Sequence, residues 1–180
     1  MAGRPFVSVD EMNSIIINNH NQMVGPEDDL YILGDVCMGQ RSQMPDLIRR
    51  LQGKLHLVAG NHDEGLLKNP DNHSLFASVD KLLEIEVPGD GKGHQRQMIV
   101  MCHFALESWH RNHKGSWMLH GHSHGTLNSP DTMLRLDVGV DMTAKRLGYT
   151  ADSYRPLTFE EIRRYMSTKK FEPVDHHGAS

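Results

Sequence analysis

The chain has 180 residues, and its 19 basic and 23 acidic side chains leave a net charge of −4. This balance argues against a surface for nucleic-acid backbones or anionic membranes, and no apolar run approaches the ~20 residues of a membrane-spanning helix. The first residues lack the pattern of a signal peptide, and the 2 cysteines indicate no disulfide framework. We therefore expect a cytoplasmic protein with one domain over residues 1–180 and a flexible tail at 174–180.

The first half of the sequence alternates predicted helices and strands. Ser8 and Glu11 form the pattern of a capping box, which opens an amphipathic helix. A short apolar run then predicts a buried strand over 30–33. A second helix is expected over 44–51, and a further strand over 54–59.

Strands follow one another in the second half. Turn residues between 82–87 and 95–102 predict a hairpin, and 116–120 and 134–138 are expected to be two more strands. A second capping pattern at Thr158 opens a final helix. Early alternation followed by successive strands indicates an α/β fold with a two-layered or sandwich core flanked by helices.

Polar side chains that metal ions prefer follow four of the short apolar runs. Carboxylate, amide and imidazole groups suit divalent transition metals, and ligands in layered α/β folds bind at the carboxyl ends of strands. Each motif alone is typical of an ordinary turn or a helix cap, but the set of four indicates a metal site. The motifs are Gly34-Asp35, Gly60-Asn61-His62-Asp63, His103 and Gly121-His122-Ser123-His124.

The ordered set of motifs resembles the calcineurin-like metallophosphoesterases, and in particular their short bacterial and phage-type members. The signature of that family runs Asp-x-His, Gly-Asp, Gly-Asn-His-Asp/Glu, a His after a strand, and Gly-His-x-His. All but the first of these elements occur here in the same order, between about residues 30 and 140. The resemblance implies a four-layer α/β/β/α sandwich and the metal-dependent hydrolysis of phosphodiesters or phosphomonoesters.

The resemblance also implies a metal-binding role for each matched ligand. Asp35 would bridge two metal ions. Asn61, His103 and His122 would complete the shell of one ion, and His124 would belong to the other. The mixed oxygen and imidazole shell favours manganese, with iron, nickel or zinc as alternatives.

His62 would be the catalytic acid, since the family uses the His of this motif to protonate the leaving oxygen. A metal-bound hydroxide would attack phosphorus, because a bound metal lowers the pKa of water towards about 7. Asp63 is expected to orient the His62 ring, as neighbouring carboxylates do for histidines.

The first motif of the family, Asp-x-His on an N-terminal strand, is absent from this sequence. We therefore expect the first strand of the sandwich and its loop, on the order of twenty residues before Arg4, to be missing. The neighbouring strands would then expose unpaired backbone groups, which favours association between copies of the chain. One metal shell is complete without this motif and the other is not, so the sequence leaves open whether one ion binds or two.

Two further features carry alternatives. Asp175 and His177 in the tail have the missing Asp-x-His spacing, so they either fill the second metal shell or belong to a polar tail. Cys37 and Cys102 flank predicted ligands, and they are read as buried packing residues or as thiols able to bind a soft ion or sense oxidation.

Asp137 and Asp141 lie beyond the last motif and match nothing in the family signature. We expect them to be structural or to line the rim of a substrate site.

Two function classes remain open on the sequence. One is a metal-dependent phosphoesterase acting on a small phosphate ester, and the other is a catalytically impaired metal-binding remnant or interaction module of the same fold. No base-reading motif, aromatic stacking stretch or basic patch in the sequence names a substrate, and no membrane or nucleic-acid partner is expected.

Overall fold

The computed structural model of the chain describes residues 4–36, 42–91 and 93–173. In these ranges, three short 3₁₀ segments supplement the helices and strands, at Pro70–Leu75, Asn112–Lys114 and Ala151–Ser153. The principal elements in chain order are α1 (Val9–Met23), β1 (Asp29–Ile32), α2 (Met44–Ile48), β2 (Lys54–Val58), α3 (Glu64–Leu67), β3 (Ser78–Asp80), β4 (Leu82–Val87), β5 (Gln97–Cys102), β6 (Trp117–His120), β7 (Arg135–Asp137), α4 (Val140–Leu147) and α5 (Phe159–Ser167).

The strands form two sheets, and in both of them the predicted ligands follow the carboxyl ends of strands. The first sheet has the order β1-β2-β3 and is parallel throughout. The second has the order β4-β5-β6-β7, in which only the β4–β5 pair is antiparallel. Because β1 runs parallel to β2, the segments 34–36 and 60–63 leave their sheet at the same edge. The parallel pair β5 and β6 likewise delivers His103 and the segment 121–125.

Three apolar clusters hold these elements together. The largest joins the second sheet to α5 and to Leu33 and Val58, the residues at or just beyond the ends of β1 and β2. A second cluster packs α2 and α3 against the first sheet, and a third joins α1, Phe6 and α4. Removing this apolar surface from water is the dominant favourable term in folding.

The helix starts predicted from the capping patterns at Ser8 and Thr158 are both confirmed. At α1 the Ser8 hydroxyl accepts from the Glu11 backbone N–H at 3.1 Å, but the Glu11 carboxylate reaches the N–H of Val7 instead of that of Ser8. At α5 the box is reciprocal: Thr158 and Glu161 each accept from the other's backbone N–H. These contacts satisfy donors that a helix start leaves unpaired.

The α/β class and the predicted strands are confirmed, with differences in detail. The β4–β5 hairpin forms as expected, and β4 has the predicted bounds. β1 is only partly buried instead of fully buried, because among the described strands it pairs with β2 alone. The predicted helix over 44–51 is shorter, ending at Ile48. Sequence patterns did not predict α3, β3 or α4.

Some residues singled out in the sequence lie outside the part of the chain that the structure describes. Cys37 and the tail residues Asp175 and His177 lie outside the described residues. Within the described ranges, no helix is long and apolar enough to cross a membrane.

Candidate metal centre

Four of the five predicted metal ligands come together where the two sheets deliver their strand ends. One ligand atom each of Asp35, His103 and His122 lies within 4.8 Å of the other two. His103 is central: its Nε2 atom is 3.4 Å from Asp35 Oδ2, 3.1 Å from Asn61 Oδ1 and 3.1 Å from His122 Nδ1. We call Asp35, Asn61, His103 and His122 the ligand cluster.

The orientation of His103 is fixed by a backbone contact. Its side chain is 1% exposed, and its Nδ1 atom is 2.7 Å from the carbonyl oxygen of Leu33. Since a carbonyl only accepts, Nδ1 carries the proton and donates it there. In the neutral ring Nε2 then presents its lone pair to the cluster, which is the arrangement found for most metal-binding histidines.

Asp35 uses its two carboxylate oxygens differently. Oδ1 accepts from the backbone N–H of His62 at 2.9 Å, whereas Oδ2 faces His103. The first contact ties the His62 backbone to the cluster, and the His62 side chain itself is exposed. The predicted catalytic residue therefore lies beside the predicted ligands with its imidazole open to solvent.

Asp63 has a different role from the one predicted. Its carboxylate is buried at 1% exposure, and Oδ2 accepts from the N–H groups of Asp35 and Gly60, each at 2.8 Å. Oδ1 accepts from the N–H of Val36 at 3.0 Å. The expectation that Asp63 orients the His62 ring is therefore wrong, because its acceptors are used on backbone groups. Asp63 clamps the segment after β1 to the segment after β2.

The cluster is built on strained and tightly packed backbone. Asp35, His122 and His124 have φ values of 53°, 60° and 45°, a left-handed conformation that is rare outside glycine and concentrated at functional sites. Gly60 permits the close approach of the two segments, because a Cβ there would lie 2.5 Å from Asp35 Oδ1 and 2.8 Å from the Cε1 atom of His103. A side chain at position 60 would therefore displace the side chains of Asp35 and His103.

His124, the fifth predicted ligand, lies outside the ligand cluster. Its Nδ1–H donates to Asp141 Oδ2 at 2.7 Å, and its side chain is 66% exposed. The same carboxylate accepts from Arg4 Nε and a second guanidinium nitrogen at 2.7 and 2.9 Å. Burial acts to raise the pKa of Asp141, but the hydrogen bonds from Arg4 and His124 together outweigh it and hold that pKa below its usual value.

Asp137 is structural, which is one of its two predicted readings. Its Oδ2 atom accepts from the Ser123 hydroxyl at 2.8 Å and from the Gly125 N–H at 3.0 Å, and Oδ1 accepts from the Gly139 N–H at 2.9 Å. The carboxylate thus fixes the segment that carries His122.

Cys102 is buried within the largest apolar cluster, in agreement with its packing interpretation.

Sequence reasoning passed over Phe104, which borders the cluster. Its ring is 46% exposed, and its centroid lies 4.9 Å from that of His103 and 4.8 Å from that of His122. The sequence feature that could have indicated Phe104 is its position directly after the predicted ligand His103.

Comparisons with known proteins give relatives without an assigned activity. No family model matches the chain. It is 29% identical over 123 residues to an uncharacterized protein, MJ1445, of Methanocaldococcus jannaschii, in a match that spans 67% of this chain and only 58% of that protein. It is also 28% identical over 157 residues to the gene 66 protein of Mycobacterium phage L5, covering 74% of this chain and 75% of that protein.

The gene 66 protein of Mycobacterium phage D29 is similar at 28% identity over 146 residues, covering 67% of this chain and 71% of that protein. Among solved structures, the protein of unknown function AQ665 from Aquifex aeolicus has a TM-score of 0.57 at 19% identity, covering 89% of this chain and 88% of that one. At that identity the likeness extends to the fold alone.

Proposed function

We propose that the protein is a metal-dependent phosphoesterase whose ligand cluster binds a divalent transition metal, manganese in preference to iron, nickel or zinc. The observation that carries the proposal is the convergence of Asp35, Asn61, His103 and His122 from four separate strand ends. We further propose that the two sheets stack as a four-layer α/β/β/α sandwich. The packing of α2 on the first sheet and of α5 on the second supports this arrangement.

The chemistry of the donor set fits such a metal. Two imidazole nitrogens, a carboxylate oxygen and an amide oxygen form the mixed shell that manganese, iron and zinc accept. The Nδ1–H of His103 is already used on the Leu33 carbonyl, which leaves Nε2 as the only available ligand atom of that ring. When bound, a divalent metal lowers the pKa of a coordinated water and stabilises negative charge on a phosphoryl group.

Residues of the chain supply the remaining requirements of phosphate-ester hydrolysis. His62 is exposed beside the cluster and is the proposed proton donor to the leaving oxygen. The bond from its N–H to Asp35 Oδ1 holds its backbone at a fixed distance from the ligands. Asp63 and Asp137 hold the ligand-bearing segments, so that the side chains converge before substrate arrives.

A non-catalytic metal-binding protein of the same fold is the second candidate. It is favoured by the position of His124, which bonds to Asp141 and does not join the other predicted ligands. A single ion would bind but would clamp a phosphoryl group less firmly than a pair of ions.

The deciding experiment loads the purified protein with Mn²⁺ and measures bound metal per chain together with turnover of 4-nitrophenyl phosphate and bis(4-nitrophenyl) phosphate. We expect bound Mn²⁺ and turnover of at least one of these esters. His103→Ala should abolish metal binding, since it removes the central ligand. His62→Ala should keep the metal and lower kcat by roughly 10²–10⁴-fold for an alkyl phosphate ester, whose leaving oxygen needs the proton, and by much less for the nitrophenyl esters, whose phenolate leaves without one.

His113→Ala is the matched control, because His113 is exposed and lies in the 3₁₀ segment Asn112–Lys114, which precedes β6, whereas His122 follows β6 at its other end. It should leave metal content and turnover unchanged. Metal binding without turnover of either ester would favour the non-catalytic candidate. Failure to bind Mn²⁺, Fe²⁺, Ni²⁺ or Zn²⁺ would refute the proposal as a whole.

A further inference from the structure

The feature that extends the proposed function is the exposed ring of Phe104 at the border of the ligand cluster. Large apolar side chains that are exposed singly are common on protein surfaces. Phe104 differs in location, because it directly follows a buried ligand and contacts the rings of both cluster histidines. Its exposure is 46%, whereas that of His103 is 1%, so one side of the Phe104 ring packs on the cluster and another part faces solvent.

The geometry of the ring contacts leaves Phe104 able to stack on a further ring. Its plane lies at 79° to that of His103 and at 66° to that of His122, so both contacts are edge-type. An edge-type contact uses the rim of one partner, and aromatic pairs are also favourable when offset and stacked. Neither imidazole lies parallel to the phenyl ring of Phe104 in a stacked arrangement.

We propose that Phe104 is a substrate-binding residue that stacks on a planar aromatic ring, such as a nucleobase, carried by the phosphate ester whose phosphoryl group binds at the ligand cluster. The inference rests on the proposed function and adds to it the class of substrate: nucleotides or aryl phosphates, in preference to sugar and alkyl phosphates. The centroid of the Phe104 ring lies 4.8 Å from that of His122, so a ring stacked on Phe104 would belong to a ligand whose phosphoryl group can also reach the cluster. A nucleoside phosphate has a suitable span, because a ribose separates its base from its phosphate.

Adenosine 5′-monophosphate and ribose 5-phosphate form a matched pair of probes. Both present the same phosphoryl group on the same ribose oxygen, and they differ only in the base. We would measure the affinity of each for the Mn²⁺-loaded protein by titration calorimetry, together with kcat/KM where turnover occurs. A third ligand, phenyl phosphate, distinguishes recognition of any aromatic ring from recognition of a nucleobase.

Phe104→Ala should weaken adenosine 5′-monophosphate binding by roughly 5- to 150-fold, the range for loss of one base–aromatic stack. Binding of ribose 5-phosphate and of Mn²⁺ should change less than about twofold. Phe104→Trp should retain or strengthen nucleotide binding, because its π face is larger. Phe104→Leu keeps the apolar bulk without the aromatic face and should show the same selective loss as alanine, which provides a second variant if alanine does not fold.

Tyr149→Ala is the control, since Tyr149 is an aromatic side chain with 56% exposure and no ring contact to the cluster histidines. It should bind both ligands as the parent does. Equal losses for the two ligands in Phe104→Ala would overturn the inference, because the ring would then act only by orienting His122. No loss for either ligand would also overturn it.

The inference and the proposed function fail in different ways. If the parent protein binds adenosine 5′-monophosphate selectively and Phe104→Ala removes that selectivity, but neither nitrophenyl ester is hydrolysed, the stacking role stands and the hydrolytic function fails. If it hydrolyses those esters while binding the nucleotide and ribose 5-phosphate equally, the hydrolytic function stands and the stacking role fails.

Discussion

Replacing Asp63 by asparagine tests how the ligand cluster is held together. The carboxylate accepts three backbone N–H groups, two through Oδ2 and one through Oδ1, in a site where the side chain is 1% exposed. Asparagine has the same shape but only one acceptor oxygen. If that oxygen keeps the pair from Asp35 and Gly60, the amide NH₂ must face the N–H of Val36.

The expected loss of stability follows from this exchange. A hydrogen bond to a charged acceptor contributes about 1.5–3 kcal/mol, and an unpaired buried donor costs ~1–3 kcal/mol. Asp63→Asn loses the bond from Val36 and places the asparagine NH₂ against the N–H of that residue. The two bonds from Asp35 and Gly60 become weaker because their acceptor is no longer charged. We therefore expect the free energy of unfolding to fall by about 2–4 kcal/mol, a large share of the ~5–15 kcal/mol of a typical domain.

Urea denaturation followed by circular dichroism would measure this loss, and titration calorimetry would measure the affinity for Mn²⁺. Because the clamp holds the segment that carries Asp35, the affinity should fall by roughly 10–100-fold, as for other residues that orient metal ligands. Asp71→Asn is the control: Asp71 is exposed, and the change should stay within about 0.5 kcal/mol. A variant of Asp63 as stable as this control, with unchanged affinity for Mn²⁺, would refute the reasoning.

Three further predictions concern other parts of the chain. Gly60→Ala should abolish Mn²⁺ binding measured by calorimetry, since its methyl group would lie 2.5 Å from Asp35 Oδ1; binding at parental affinity would show that the segments can separate without loss. Asp137→Asn should lower the unfolding free energy by about 1–3 kcal/mol in thermal denaturation, because one of three hydrogen bonds is lost. The Arg155 hydrogen bond holds the pKa of Glu161 at about 2, below the ordinary value of 4.5. Glu161 therefore stabilises the fold above about pH 4.5 and loses this contribution as the pH falls towards 2. The difference in urea midpoint between the parent protein and Glu161→Gln should be largest at pH 7 and shrink by pH 3; a difference that does not depend on pH would contradict this account.

Local patterns predicted a large part of the fold. The capping contacts at Ser8 and Thr158 join residues three positions apart, so their chemistry is readable directly from the sequence. β4 was predicted with correct bounds because the turn residues at 88–91 directly follow it. α3, β3 and α4 were missed. α3 has four residues and β3 three, and α4 follows Gly139, an N-cap residue with no side chain to cap the helix.

The ligand cluster was predicted as a set of residue types and not as a geometry. Motif order and strand ends indicated Asp35, Asn61, His103 and His122, and the structure brings these four together. His124 did not join them, because a hydrogen bond to Asp141, 17 residues later, holds its ring. That contact depends on how α4 packs, which no local pattern specifies.

The sequence by itself determined the kinds of ligand available, the strand ends that carry them and the starts of the first and last helices, since each depends on residues within a few positions of one another. Only the tertiary structure decided how those ligands are oriented. Asp63 reaches Asp35 across 28 residues, and His103 reaches the Leu33 carbonyl across 70. Such hydrogen bonds depend on how the strands pair and the core packs, so neither the backbone clamp of Asp63 nor the contact of Phe104 with His122 could be predicted from the order of residues alone.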